Sequence, residues 1–156
     1  MRLRVIDIET SGGNPSEIVE IAAVDVVESG DGWTAEPSRS TLFRPRDPIW
    51  FHAMAIRHLT PEHLEGEAWS PSITGLGKFI WRHGRPDALV AHDISFERQY
   101  ITADATCDLP WICTLKAARN AWPEAPGHSN QVLRYWRGLN HDPALAIPPH
   151  RAAPDA

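Results

Sequence analysis

Asp7 and Glu9 stand one residue apart in the apolar stretch RLRVIDIET. On an extended strand residues i and i+2 face the same way. The two acids therefore project together with Leu3 and Val5, while Ile6 and Ile8 face the opposite side. Carboxylates held this close repel and raise each other's pKa unless a cation sits between them. An all-oxygen donor pair of this kind suits Mg²⁺ or Mn²⁺. An isolated D-x-E is more often the solvated face of an edge strand. Here the flanking residues are apolar, and Thr10-Ser11-Gly12-Gly13 leaves the strand in a small-residue turn. Such a turn lets backbone N–H groups approach a phosphate or nucleotide.

A second acidic site lies in LVAHDISFER, where a strand end runs into a helix start, a common position for site residues in α/β folds. Asp93 and Glu97 are four apart and share a face if the helix includes both. The bland readings are a helix N-cap for Asp93 and a solvated helix position for Glu97. Phe96 beside them is more often core than a stacking platform. A third site is PPHRAAPDA, with His150 and Asp155 five apart. With eight histidines in the chain such a pair carries nothing alone. Histidine-based zinc binding is weak as well: Pro61 lies between His58 and His63, and no Cys pair has finger spacing.

These positions need a scaffold, and 156 residues suffice for one domain with a real core. RLRVIDIE, IVEIAAVDVVE and SRSTLFR read as three strands joined by short turns, an antiparallel meander. The turn after the second strand is GDGW. PIWFHAMAIRHLTPEHLEGE reads as short helical turns broken by Pro61. SPSITGLGKFIWRHG has helical spacing, with Ser70 as cap and Gly84 as stop. DALVAH is a short buried strand, ISFERQYITAD a helix and PWIC an extended piece. TLKAARNAW and SNQVLRYWRGL are further helices, the last capped by Ser129 and stopped near Gly138. A proline-rich tail follows. The order predicts a mixed α/β sheet with helices packed on it.

Composition narrows the function classes. No apolar run is long enough to span a bilayer, and no signal-peptide pattern opens the chain. Two cysteines, Cys107 and Cys113, make no disulfide framework, so the expected location is cytoplasmic. Net charge is −5, so a broad basic face for duplex nucleic acid is excluded and contacts should be local, such as a strand end in a cleft. Most of the seven tryptophans are expected in the core.

Taken together, VIDIETSGG…SEIVEIAAVDV, LVAHDISFER and HRAAPD resemble the three motifs of the DEDDh 3′–5′ exonucleases (DnaQ-like, RNase T superfamily), in their usual order. The likeness extends to RPRDPIWFHAMAI, LPWICTLKAARNAWPE and HSNQVLRYW, and so to nearly the whole chain. It implies a ribonuclease-H-like α/β fold and metal-dependent hydrolysis that releases nucleotides from the 3′ end of DNA, preferably single-stranded. By the same resemblance Asp7, Glu9, Glu97 and Asp155 hold two Mg²⁺ or Mn²⁺ ions about 4 Å apart, and His150 is the general base. Thr10, Ser11, Gly12 and Gly13 are expected against the terminal nucleotide, with His92 and Phe96 as further substrate contacts.

The chain departs from the family pattern at four places. Glu97 stands where Asp is usual, and Asp93 where Asn is usual. Gly13 replaces a larger apolar residue such as Leu. Pro154 precedes Asp155, and Ala156 ends the sequence where the family has a long helix. The last departure predicts a single exonuclease domain, 1–156, truncated at its C-terminus with the last helix missing. It also predicts that in the absence of metal Asp155 sits away from Asp7 or has high mobility. Two other functions compete: an exoribonuclease of the same family, and a weakened domain that binds nucleic acid or a polymerase partner. Arg44 and Arg46 are candidate guides for a single strand.

Overall fold

β1 (Arg2–Thr10) is the strand from which the fold is organised. The computed structural model describes residues 1–139 and 150–156; the rest of the predicted proline-rich tail lies outside the described residues. β1 pairs antiparallel with β2 (Ile18–Ser29), register running from Arg2↔Val27 to Glu9↔Glu20. β2 is twelve residues long, and two short strands share its outer edge. β3 (Gly32–Ala35) pairs with its far end and β4 (Arg39–Leu42) with its near end. The predicted three-strand meander is thus four strands, since the GDGW segment turns and also starts β3. On its other edge β1 runs parallel to β5 (Ala88–Ala91), which runs parallel to β6 (Trp111–Cys113). The sheet order is β3-β2-β1-β5-β6, with β4 also on β2.

The alternation of β1 sets the two faces. Ile6 and Ile8 enter one core with Ile21 and Ala23 of β2 and Leu89 of β5. Leu76 and Ile80 of α2 (Ile73–Trp81) close it, together with Ile101, Ala105 and Leu109. Ser72, not Ser70, caps α2: its hydroxyl accepts from the Gly75 N–H at 3.4 Å. The helix predicted over 94–104 is two, α3 (Ile94–Tyr100) and α4 (Ala103–Thr106), with Ile101 and Thr102 between them. The indole N–H of Trp81 ties α2 to α4 by donating to the Ala105 carbonyl at 3.2 Å. A second core, Val19, Ile49, Ala53, Leu59 and Leu64, seats α1 (Phe51–Arg57) and the 3-10 turn Pro61–Leu64 on β2. α5 (Thr114–Ala121) and α6 (Asn130–Arg137) follow β6, with Ser129 and Gly138 capping α6 as expected.

The last helix is present, as one turn: α7 (Ala152–Asp155) packs on β1 and β2, with Ala152 fully buried. Pro154 is its third residue, where a helix N–H has no partner to lose. Among the described residues no helix is long and apolar enough to cross a membrane.

Candidate active site

Four carboxylates converge at one end of the acid-bearing face of β1. Asp7 lines a pocket of about 310 Å³ with His92, Ser129, Asn130, Gln131, His150 and Asp155. Burial pushes the Asp7 carboxyl well above its ordinary range, and Glu9, Asp155 and Glu97 add to the rise. Glu9 is buried, and burial raises it to about 7 even though Arg57 opposes the shift. Glu97 is 2% exposed on α3 and rises to about 7, chiefly by burial, with Asp93 and Glu9 adding repulsion. Its Oε2 is buried without a hydrogen-bond partner. A buried carboxylate oxygen with no donor is costly, so this atom marks a position where a cation would be welcome.

Asp93 behaves differently. It is exposed and left-handed at φ 71°, and it caps α3 by accepting from the Ser95 N–H at 3.4 Å and from the Ser95 hydroxyl. The Ser95 hydroxyl bond holds its carboxyl below the usual range. Asp93 is therefore committed to the helix cap, and Glu97 is the acid that faces the cluster.

Asp155 is brought to Asp7 by a clamp that sequence reasoning missed. Glu20 lies opposite Glu9 in the β1–β2 register and is buried. Its carboxylate accepts from Arg151 Nε at 2.8 Å and a second guanidinium nitrogen at 3.2 Å, from the Ala152 N–H at 3.1 Å, and from the Ser40 hydroxyl at 2.7 Å. Asp155 itself accepts from the His150 N–H at 3.0 Å and from Gln131 Nε2 at 3.4 Å. The expectation that Asp155 lies away from Asp7 without metal is corrected: the tail is anchored through Glu20. Only the second acid of SEIVEIA, Glu20, hinted at this.

The remaining predicted residues divide. Ser11 is a structural staple: its N–H donates to the Glu17 carbonyl at 2.8 Å, its hydroxyl accepts from the Glu17 N–H at 3.0 Å, and its carbonyl accepts from the Trp50 N–H at 2.9 Å. Thr10 is buried beside it. Gly12 and Gly13 are left-handed, φ 71° and 83°, as a small-residue turn requires. His92 has both ring nitrogens engaged, Nε2 on the His128 carbonyl at 2.7 Å and Nδ1 on the Thr114 hydroxyl at 3.0 Å. A carbonyl only accepts, so Nε2 carries the proton, and burial lowers the pKa of the ring. His92 thus shapes the pocket wall and has no ring nitrogen to spare. Phe96 is partly buried, packing on the core and against Tyr100 with ring centroids 5.5 Å apart. His150 is exposed at the pocket, with φ 60°. Arg46 is bound to Glu17 at 2.7 Å, and Arg44 lies 5.0 Å over the Trp69 ring.

The donor set fits a hard divalent cation: oxygens only, Glu9 and Glu97 among them buried, mutually repelling, one oxygen without a partner. Among the described residues no three His, Cys, Asp or Glu side chains are drawn close enough to hold a metal ion as they stand. Like charges repel when no cation lies between them. Arg57, at the last turn of α1, also binds the Glu9 carboxylate directly, supplying the positive charge from the protein itself.

Comparison with known proteins agrees with this geometry. The RNase T exonuclease family model matches residues 5–156. Exodeoxyribonuclease 10 of Escherichia coli K12 is 37% identical over 155 residues, which is 98% of this chain and 63% of that protein. The chain thus spans a little under two thirds of the length of that curated relative. Among solved structures, Exonuclease X in complex with 5′ overhanging duplex DNA superposes with a TM-score of 0.75 at 35% identity, over 98% of this chain and 83% of that one. E. coli Exonuclease I in complex with a dT13 oligonucleotide reaches 0.72 at 15% identity, over 99% of this chain and 38% of that one, a likeness of fold. The architecture is the ribonuclease-H-like one that these neighbours share.

Proposed function

The chain belongs to the RNase T exonuclease family, and from that premise we propose that it is a 3′–5′ exonuclease that removes nucleotides from DNA 3′ ends, preferably single-stranded. The carrying observation is the cluster of Asp7, Glu9, Glu97 and Asp155, with Glu9 and Glu97 buried, beside an exposed His150. Asp7, Glu9, Glu97 and Asp155 would hold Mg²⁺ or Mn²⁺, which when bound stabilises charge on the phosphate oxygens and lowers the pKa of water. His150 takes the proton of the attacking water. Water adds to the terminal phosphorus, the bond from phosphorus to the O3′ of the penultimate nucleotide breaks, and a nucleoside 5′-monophosphate leaves. The shortened strand keeps a 3′-hydroxyl. Asp155 is held in reach by the Glu20–Arg151 clamp, and Asn130 and Gln131 of α6 hold its other side at 3.4 Å.

The acidic chain offers little footprint for duplex, which supports a single-stranded end as substrate. The related Exonuclease X is known in complex with 5′ overhanging duplex DNA, so that duplex is the second substrate to compare. The test is release of mononucleotides from 3′- and 5′-labelled single-stranded DNA, overhanging duplex and RNA, with Mg²⁺ or Mn²⁺. Immediate loss of a 3′ label and late loss of a 5′ label is the expected pattern. Loss of the 5′ label first, or faster RNA than DNA turnover, overturns the direction or the substrate.

A further inference from the structure

Trp50 is an exposed aromatic residue seated on the turn that leaves β1 after the acids. Its side chain lies on the Gly12–Gly13 turn that follows Glu9. A Cβ built on Gly13 would stand 2.5 Å from the indole Nε1 and 2.9 Å from Cε2, and one on Gly12 would stand 3.2 Å from the Trp50 Cβ. The backbone N–H of Trp50 donates to the Ser11 carbonyl at 2.9 Å. Its neighbours Ile49 and Ala53 are buried in the second core. Yet the residue is 57% exposed, and Phe51 next to it is 86% exposed. Packing therefore fixes one edge of the indole while much of the residue stays open to solvent.

The other end of the same helix reaches the catalytic acids. Arg57, the last residue of α1, binds Glu9. Seven residues of helical rise separate Trp50 from Arg57 by about 10 Å, within the reach of a base together with its sugar and phosphate. A flat apolar ring at this remove from a phosphate-hydrolysing centre is suited to the face of a nucleobase, because every base has a π-face to stack.

We infer that Trp50 is the stacking platform for the 3′-terminal nucleobase. The inference rests on the exonuclease reading and deepens it. It gives the two glycines a purpose: they leave room for the indole, which a side chain at Gly13 would displace.

The test measures binding and cleavage separately. The Asp7→Asn form, which holds substrate without turnover, is titrated with two 5′-labelled single-stranded oligonucleotides identical except that one has an abasic 3′-terminal nucleotide. Binding in Mn²⁺ is followed by anisotropy. The base-bearing end should bind about tenfold tighter. Trp50→Ala should lose that discrimination and bind both as weakly as the abasic end, while Trp50→Phe should retain part of it and Trp50→Leu little. Thermal melting of each variant confirms that the Gly12–Gly13 turn survives. Undiminished discrimination in Trp50→Ala, or full retention in Trp50→Leu, overturns the inference. If the unsubstituted protein cleaves both ends and binds them equally, stacking is refuted while the exonuclease reading stands. If it neither binds nor cleaves either end, both fall.

Discussion

Glu97→Gln separates a metal ligand from a structural acid, because the two roles predict opposite changes in stability. The substitution keeps shape and removes charge. In the folded protein the Glu97 carboxyl titrates at about 7 against an ordinary 4.5. The folded state therefore holds this proton more tightly than the unfolded chain does. The stability it lends is fully present below pH 4.5 and is lost as pH rises through about 7. At about 1.36 kcal/mol per pH unit, the ionised carboxylate costs the metal-free fold about 3 kcal/mol at pH 8. Oε2 has no donor to lose, so an amide there forfeits no bond. In chelator at pH 8 the variant should melt about 6–12 °C higher than the parent, and at pH 4.5 the gap should close. Stabilisation by Mn²⁺ should shrink, and nucleotide release should fall by orders of magnitude. Asp93→Asn is the control: Asn is as good a cap as Asp, so melting and rate should barely move. A Glu97→Gln protein that melts lower in chelator at pH 8, or an Asp93→Asn protein that loses more activity than Glu97→Gln, refutes the assignment.

Mn²⁺ binding followed by calorimetry should tighten steeply from pH 6 to pH 8 and release protons, because Glu9 and Glu97 both titrate at about 7 and must be ionised to ligate; a flat profile would rule out these two as ligands. Arg57→Gln should lower the melting temperature in chelator, since the buried Glu9 loses its cationic partner, at about 2 kcal/mol. The same variant should bind Mn²⁺ several-fold tighter, because no cation need be displaced, and weaker binding would show that Arg57 assists the metal. Arg151→Ala leaves Glu20 with only the Ser40 hydroxyl and the Ala152 N–H and should cost about 3 kcal/mol. It should also free Asp155, seen as lost Mn²⁺ affinity out of proportion to the melting change; unchanged affinity would mean that α7 is seated without the clamp.

What was legible in the sequence was local. The period-2 pattern of RLRVIDIE placed Asp7 and Glu9 on one face and Ile6 and Ile8 in the core. Ser129 and Gly138 bounded α6 where capping chemistry says they should. Motif order favours Glu97 over Asp93, and the two differ in the structure: one is buried and unsatisfied, the other an exposed cap. What escaped was carried by distant pairs. The clamp on α7 joins residues 131 apart, Glu20 and Arg151, and Arg57 reaches Glu9 across 48 positions. No spacing rule links them. Pro154 argued for a frayed tail because its effect was weighed in a helix interior, whereas it sits in a first turn where the missing N–H is harmless. β3 was hidden inside a turn signal because GDGW both reverses the chain and begins pairing.

β1 and β2 carry two buried charge sites and treat them in opposite ways. Toward one end Arg4 and Asp25 are paired in register and fully buried. Asp25 accepts from Arg4 Nε at 2.6 Å, from a second Arg4 nitrogen at 2.7 Å, from Arg2 at 2.6 Å and from Arg39 at 3.1 Å. Burial alone would raise its carboxyl, but hydrogen bonds from Arg4 and Arg2 hold it well below the usual range. Arg4 also donates to the Ile80 carbonyl and lies 3.3 Å from the Gly84 carbonyl, tying the end of α2 to the sheet. Every charge there has a partner, so that end is rigid. Toward the other end Asp7 and Glu9 lie on the same strand, with Glu97 and Asp155 brought in from α3 and α7, and Arg57 is the single cation bound to that cluster among the described contacts. A sheet stabilised along one half can hold unfavourable charge on the other without splaying. The repulsion kept there is what gives a divalent ion its affinity, since the ion relieves at once the desolvation of Asp7, Glu9 and Glu97 and the repulsion among the acids.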